Sequence, residues 1–126
     1  MSGIDYGIDV PARMVRLVFS GSVPFETWAA TMETIFGLPD YRPGFDFLVD
    51  RRDAEAATAD EVRRIVAFIY KNRAACANSR WAIVVTSDAD FGMVRMTQAL
   101  AYDHPTEIEI FHDVDHAISW LAGSDR

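Results

Sequence analysis

Three groups of residues in this sequence have types and spacings that could do chemistry. In His112-Asp113-Val114-Asp115-His116 two imidazoles stand four apart among carboxylates, the side chains that hold zinc and related ions. Such a pair shares a face only inside a helix. An apolar strand pattern runs up to His112, and Asp113 stands where a helix N-cap belongs, so the two His are expected to separate. Asp113 and Asp115 then serve the cap and the helix dipole, and no metal site is expected. His104, between Asp103 and Pro105, reads as a loop residue. The second group is the nucleophiles. Cys76 falls near the end of a predicted helix, where the dipole raises a thiol pKa rather than lowering it. Thr58 and Ser87 each precede a helix and have caps to make. No Gly-x-Ser-x-Gly elbow, Gly-rich phosphate loop or cysteine pair is present, and nothing brings Asp46 and Asp50 into a cleft. No catalytic residue and no cofactor are expected.

The third group is Arg51 and Arg52, which follow a predicted strand, together with Thr58 and Ser87 at two helix starts. Ligands of open parallel sheets collect beyond the carboxyl ends of the strands, where helix N-termini point. Two guanidiniums beside two such termini form a candidate cradle for a small carboxylate or phosphate ligand. Asp53, Glu55, Asp60, Asp88 and Asp90 crowd the same edge, and neutralising them is the competing role for the two Arg. If the two Arg are loop charges, replacing them should leave the fold intact.

These positions depend on elements that the hydrophobic periodicity supplies. Tyr6 to Val10 and Met14 to Phe19 read as strands about a Pro11 turn. A helix is expected from about Pro24 to Gly37, its inner face Phe25, Trp28, Ala29, Met32, Ile35 and Phe36. Phe45 to Asp50 is a strand. The next helix opens on Thr58-Ala59-Asp60-Glu61, which has capping-box form, and carries the stripe Val62, Ile65, Val66 and Ile69. Trp81 to Thr86 is a strand apolar enough to be covered on both faces. Ser87 caps a helix to about Leu100, on which Phe91 and Met93 either line a small pocket or cover the sheet. Glu107 to Phe111 alternates as a charged edge strand does, and a last helix after Asp113 buries Val114, Ala117, Ile118 and Leu121. The order β-β-α-β-α-β-α-β-α makes the fold class α/β: one domain with a mostly parallel sheet of four to five strands and an antiparallel N-terminal strand.

Composition narrows the function classes. The 126 residues suit one domain, and half are hydrophobic, so disorder is excluded. A net charge of -7 disfavours nucleic acid and anionic membranes, and no apolar run is long enough to cross a bilayer. A single cysteine and a start, MSGIDYGID, without signal-peptide character point to the cytoplasm. Between Val62 and Ser87 lie five bases, Arg63, Arg64, Lys71, Arg73 and Arg80, and no acid. Between Met96 and Ser124 lie five acids, Asp103, Glu107, Glu109, Asp113 and Asp115, and no base. The pattern reads as two solvated faces or, alternatively, as complementary surfaces for weak, salt-sensitive self-association into a homodimer.

The run Tyr41-Arg42-Pro43-Gly44-Phe45-Asp46-Phe47-Leu48-Val49-Asp50 resembles the third-strand signature of small SpoIIAA-like proteins of the STAS/CRAL-TRIO type, Y-R-P-G-F-D-x-L-V-D. Phe19-Ser20-Gly21, Trp81-Ala82-Ile83-Val84 and the ending from Phe111-His112-Asp113 through Ala117-Ile118-Ser119-Trp120-Leu121 resemble further landmarks in the same order. The resemblance implies a regulatory, non-catalytic protein-interaction module. The better-known relatives are antagonists of anti-sigma factors, phosphorylated on a Ser in a D-S-S-G pattern that opens the helix after the third strand. This chain departs there, since Ala59 occupies the place of that Ser and Thr58 reads as a buried cap hydroxyl. Lipid-carrying relatives wrap a large cavity with extra helices, for which this length leaves little room. The alternative reading is a small-ligand or anion-binding protein using the carboxyl edge of the sheet.

Overall fold

The computed structural model describes residues 2–123, so the Ser124 end of the acid-rich stretch lies outside the described residues. Strands β1 (Gly3–Asp9), β2 (Met14–Gly21), β3 (Asp46–Ala54), β4 (Arg80–Val84) and β5 (Glu107–Phe111) form one sheet in the order β1-β2-β3-β4-β5. β1 runs antiparallel to β2, and every other pair is parallel. That order decides where the helices go. Parallel strands laid down side by side in one direction, each joined by a right-handed crossover, put all the connecting helices on the same face. α1 (Phe25–Phe36), α2 (Ala59–Lys71), the short α3 (Arg73–Cys76) and α4 (Asp88–Leu100) accordingly share one face. Only α5 (Val114–Leu121), which follows the last strand, is free to fold onto the other.

Two cores result. On the first face Val15, Leu17, Phe19, Phe47, Val49 and Trp81 meet Trp28, Met32 and Ile35 of α1 and Val62, Val66 and Ile69 of α2. On the second, Leu48, Ala82 and Val84 meet Ala117 and Leu121 of α5. β4 lies between both layers and is buried at every residue, which is why it reads as an unbroken apolar run. α5 covers only the β3–β5 half; on the β1–β2 half the second face leaves Asp5, Gly7, Asp9 and Arg16 exposed.

The amino end of the parallel strands is tied down by the resemblance-bearing run. The Tyr41 hydroxyl donates to the Ala75 carbonyl (2.6 Å), and its ring packs on Phe36, Phe45 and Phe47. Asp46 Oδ1 accepts the Arg80 backbone N–H (2.9 Å), linking the first residues of β3 and β4. Arg80 donates to the Trp120 carbonyl (3.0 Å) and lies over its ring.

Several sequence expectations need correction. β3 does not stop at Asp50 but runs through Arg51 and Arg52 to Ala54, so the two Arg are strand residues and not loop charges. A helix turn at 73–76, too short to show periodicity, holds Cys76 in place of the end of α2. Arg80 is buried under Trp120 and leaves the basic surface with four members. Ile118 is exposed, and α5 buries only Ala117 and Leu121 of its stripe. His104 does lie in a loop, buried and edge-on to Tyr70, where burial pushes its imidazole below its ordinary pKa.

Candidate ligand channel at the carboxyl edge of the sheet

The caps are where the sequence puts them. Thr58 Oγ1 accepts the Glu61 N–H and Glu61 Oε1 accepts the Thr58 N–H, a complete capping box that starts α2, although Thr58 itself is exposed. Ser87 Oγ accepts the Asp90 N–H (3.1 Å) and starts α4. Both helices then run antiparallel to the strands from the carboxyl edge, and a channel opens between them and the sheet. It leaves about 80 Å³ of free volume. Exposed Ser22, Glu55 and Ala56 line one end, and buried Ile69, Trp81, Thr97 and Ile108 line the other. The mouth is therefore at the carboxyl ends of β2 and β3, and the floor is near the start of β4.

Arg51 forms part of the wall. Between Val18 and Ser20 the β2–β3 register shifts by one residue, so Arg51 and Arg52 together face Phe19. An extra residue of this kind re-aims side chains. Arg51 turns to the helix side, 4.8 Å over the Phe19 ring, and its Nε–H donates to both Asp90 oxygens (3.2 and 3.0 Å). Its Nη2 donates to the Glu55 carbonyl (2.8 Å). Asp90 is 1% exposed, so this is a buried ion pair. Arg52 turns to the opposite face, where its Nε and Nη2 bind the two Asp50 oxygens (2.9 and 2.8 Å). That guanidinium holds the Asp50 carboxyl below the usual range.

The four residues of the expected anion cradle are thus not gathered around one point. Arg51 lines the channel; Arg52 lies across the sheet; Thr58 and Ser87 spend their hydroxyls on caps and frame the channel by starting its two helices. The physical reason is the strand order. A crevice at the carboxyl edge needs a reversal of winding direction, and this sheet winds one way throughout. Charge balance also opposes an anion, since Arg51 stands against Asp90, Glu55 and Glu61 on the channel wall. Besides Arg51, the sequence signal that touched this site was Met93, which lines the channel; Phe91 stacks instead on His112.

The other chemistry-bearing residues lie apart. His112 sits just past β5, while His116 pairs with the N-cap Asp113, which raises its pKa. Among the described residues no group of three His, Cys, Asp or Glu is placed to hold a metal ion. Burial pushes the Cys76 thiol up to about 12, so burial and not the α2 dipole sets its state. Among the described residues no helix is long and apolar enough to cross a membrane.

A sheet wound in one direction, with its connecting helices on one face and a lone terminal helix on the other, defines the class. The fold is SpoIIAA-like. The chain is similar to a crystal structure of an uncharacterised protein from the DUF3478 family with a SpoIIAA-like fold, from Shewanella loihica PV-4, with a TM-score of 0.66 and 18% identity over 96% of this chain and 95% of that one. Identity at that level carries the fold and not the site. No family model matches the chain, and no curated protein does.

Proposed function

We propose that this protein is a non-catalytic binding module that admits a small ligand between α2, α4 and the sheet. The channel carries the reading: it reaches from exposed Glu55 to buried Trp81 through mostly apolar walls, as small-molecule sites do. Within it Arg51 is the ligand-facing member of the four residues read from the sequence. Thr58 and Ser87 position the two helices, and Arg52 serves Asp50. The engaged hydroxyls of Thr58 and Ser87 and the protonated, buried Cys76 support binding without covalent chemistry.

A protein-interaction role, with a partner or with a second copy, rests on a different observation: among the described residues no helix covers the β1–β2 half of the second sheet face. Native mass spectrometry of freshly purified protein separates the two. The channel reading expects a small-molecule adduct on the wild type that is missing from Val94→Trp, which fills the channel, once circular dichroism shows that variant folded. An adduct retained equally by both sinks it. A salt-weakened dimer with no adduct favours the interaction reading instead.

A further inference from the structure

The channel floor carries polar chemistry that the fold does not use. Trp81 is 4% exposed, and its Nε1–H has no hydrogen-bond partner among the described residues. A buried donor left unmade costs free energy, and the other buried side-chain groups without a partner among the described residues, on Ser79 and His104, lie outside the channel lining. Thr97, 9% exposed, donates its Oγ1–H to the Met93 carbonyl (3.0 Å), which leaves the oxygen's lone pairs as acceptors. Both residues line the channel. They also lie at one depth. Trp81 pairs with Phe47 near the start of the parallel strands. Thr97 lies on α4 about 10 Å beyond Asp90, at 1.5 Å per residue, toward that same end. An unused donor and an unused acceptor on two residues that line one small space at one depth match a hydroxyl group, which accepts from one and donates to the other.

Charge and size restrict the rest of the ligand. Arg51 is neutralised by Asp90, and Glu55 and Glu61 leave the wall acidic, so an anion meets net repulsion on entry. The 80 Å³ of free volume has room for about six waters at roughly 10–15 Å³ each, comparable to one substituted ring. Resting on the binding-module reading above, we infer that the channel takes an uncharged one-ring phenol or alcohol, hydroxyl inward, with the hydroxyl held between Trp81 Nε1 and Thr97 Oγ1. The apolar body of such a ligand lies against Val62, Ile65, Ile83 and Val94, and Arg51–Asp90 stands nearer the mouth.

The test compares 4-ethylphenol, ethylbenzene and 4-ethylbenzoate by NMR titration of the full chain. The phenol should bind on the order of tenfold more tightly than the hydrocarbon, the loss expected when a hydroxyl leaves two buried partners unpaired. The benzoate should bind most weakly. Trp81→Phe keeps a ring but removes the donor, and Thr97→Val keeps the shape but removes the acceptor. Each should bring the phenol's affinity down toward that of ethylbenzene and leave ethylbenzene itself unchanged. Should one variant fail to fold, the other gives the same reading. If phenol and hydrocarbon bind equally to the wild type, or the phenol keeps its advantage in both variants, the hydroxyl assignment is wrong while the channel remains a ligand site. If none of the three binds, the channel reading fails and takes this inference with it.

Discussion

The two ends of the parallel strands are built on opposite plans. At the amino end, side chains are spent on backbone: the Tyr41 hydroxyl on the Ala75 carbonyl, Asp46 on the Arg80 N–H and Arg80 on the Trp120 carbonyl. These bonds join β3, β4, α3 and α5, and they close that end. At the carboxyl end, charged side chains are spent chiefly on each other, Arg51 on Asp90 and Arg52 on Asp50, with one further bond in each pair to backbone, and a channel stays open beside the first pair. Backbone partners cannot move without the fold, whereas side-chain pairs can be rearranged around a guest. Closing one end with the chain itself lets the other be shaped for something else.

The largest effect expected from breaking this arrangement is at Arg51. Its loss strands the Asp90 carboxylate, 1% exposed, without its cation. Removing one partner of a buried pair costs about 3–5 kcal/mol. Arg51→Ala should therefore lower the urea midpoint sharply, contrary to what a loop charge would do. Replacing both members with apolar residues of similar size, Arg51→Met with Asp90→Leu, should recover most of the loss. A single variant as stable as wild type would show that the pair does not hold the channel wall.

The same contrast explains what could be read from the chain beforehand. At the amino end the run Tyr41 to Asp50 is legible as a strand with its lead-in, whereas the bonds that close that end are not, and Arg80 reads as a surface base. The helices are legible because their stripes recur at three and four. β3 beyond Asp50 is hidden, since Arg51-Arg52-Asp53 looks like a charged loop until the register shift pairs it with β2. The channel is hidden for a different reason. Its walls come from β2, β3, β4, β5, α1, α2 and α4, and apolar members such as Trp28, Val62, Ile65 and Ile69 read as core in their own elements. A gap between elements leaves no periodic trace. Trp81 likewise reads as an aromatic core residue, and only the packed structure shows that its N–H finds no partner among the described residues.

A smaller effect is expected at the closed end. Tyr41→Phe keeps the ring packing against Phe36, Phe45 and Phe47 and removes one hydrogen bond to the Ala75 carbonyl. The cost should be about 1 kcal/mol. Because the bond anchors α3 and not the channel, ligand affinity should not change. A Tyr41→Phe variant that loses binding in step with stability would mean that the two ends are coupled, and that the closed end does more than hold the fold.

The smallest effect is expected at Arg52, one residue from Arg51 and on the other face. Arg52 is about half exposed, and after Arg52→Ala the Asp50 carboxylate still accepts the backbone N–H of residue 52 (3.1 Å). At neutral pH the loss should be smaller than for Arg51→Ala, because the pair is open to solvent on the Arg52 side and the backbone N–H still serves the buried Asp50 carboxylate. Its pH dependence has a definite sign. The Asp50 carboxyl is held below its usual value, chiefly by the Arg52 guanidinium. The folded state therefore binds fewer protons than the unfolded chain near that value. The stabilisation is present above the ordinary carboxylate pKa of about 3.9 and fades as pH falls through the folded-state value. Urea midpoints of wild type and Arg52→Ala should differ slightly at pH 7 and converge in acid. A gap that widens on acidification would mean that Arg52 acts through some group other than Asp50, and the separation of the two arginines onto independent faces would no longer hold.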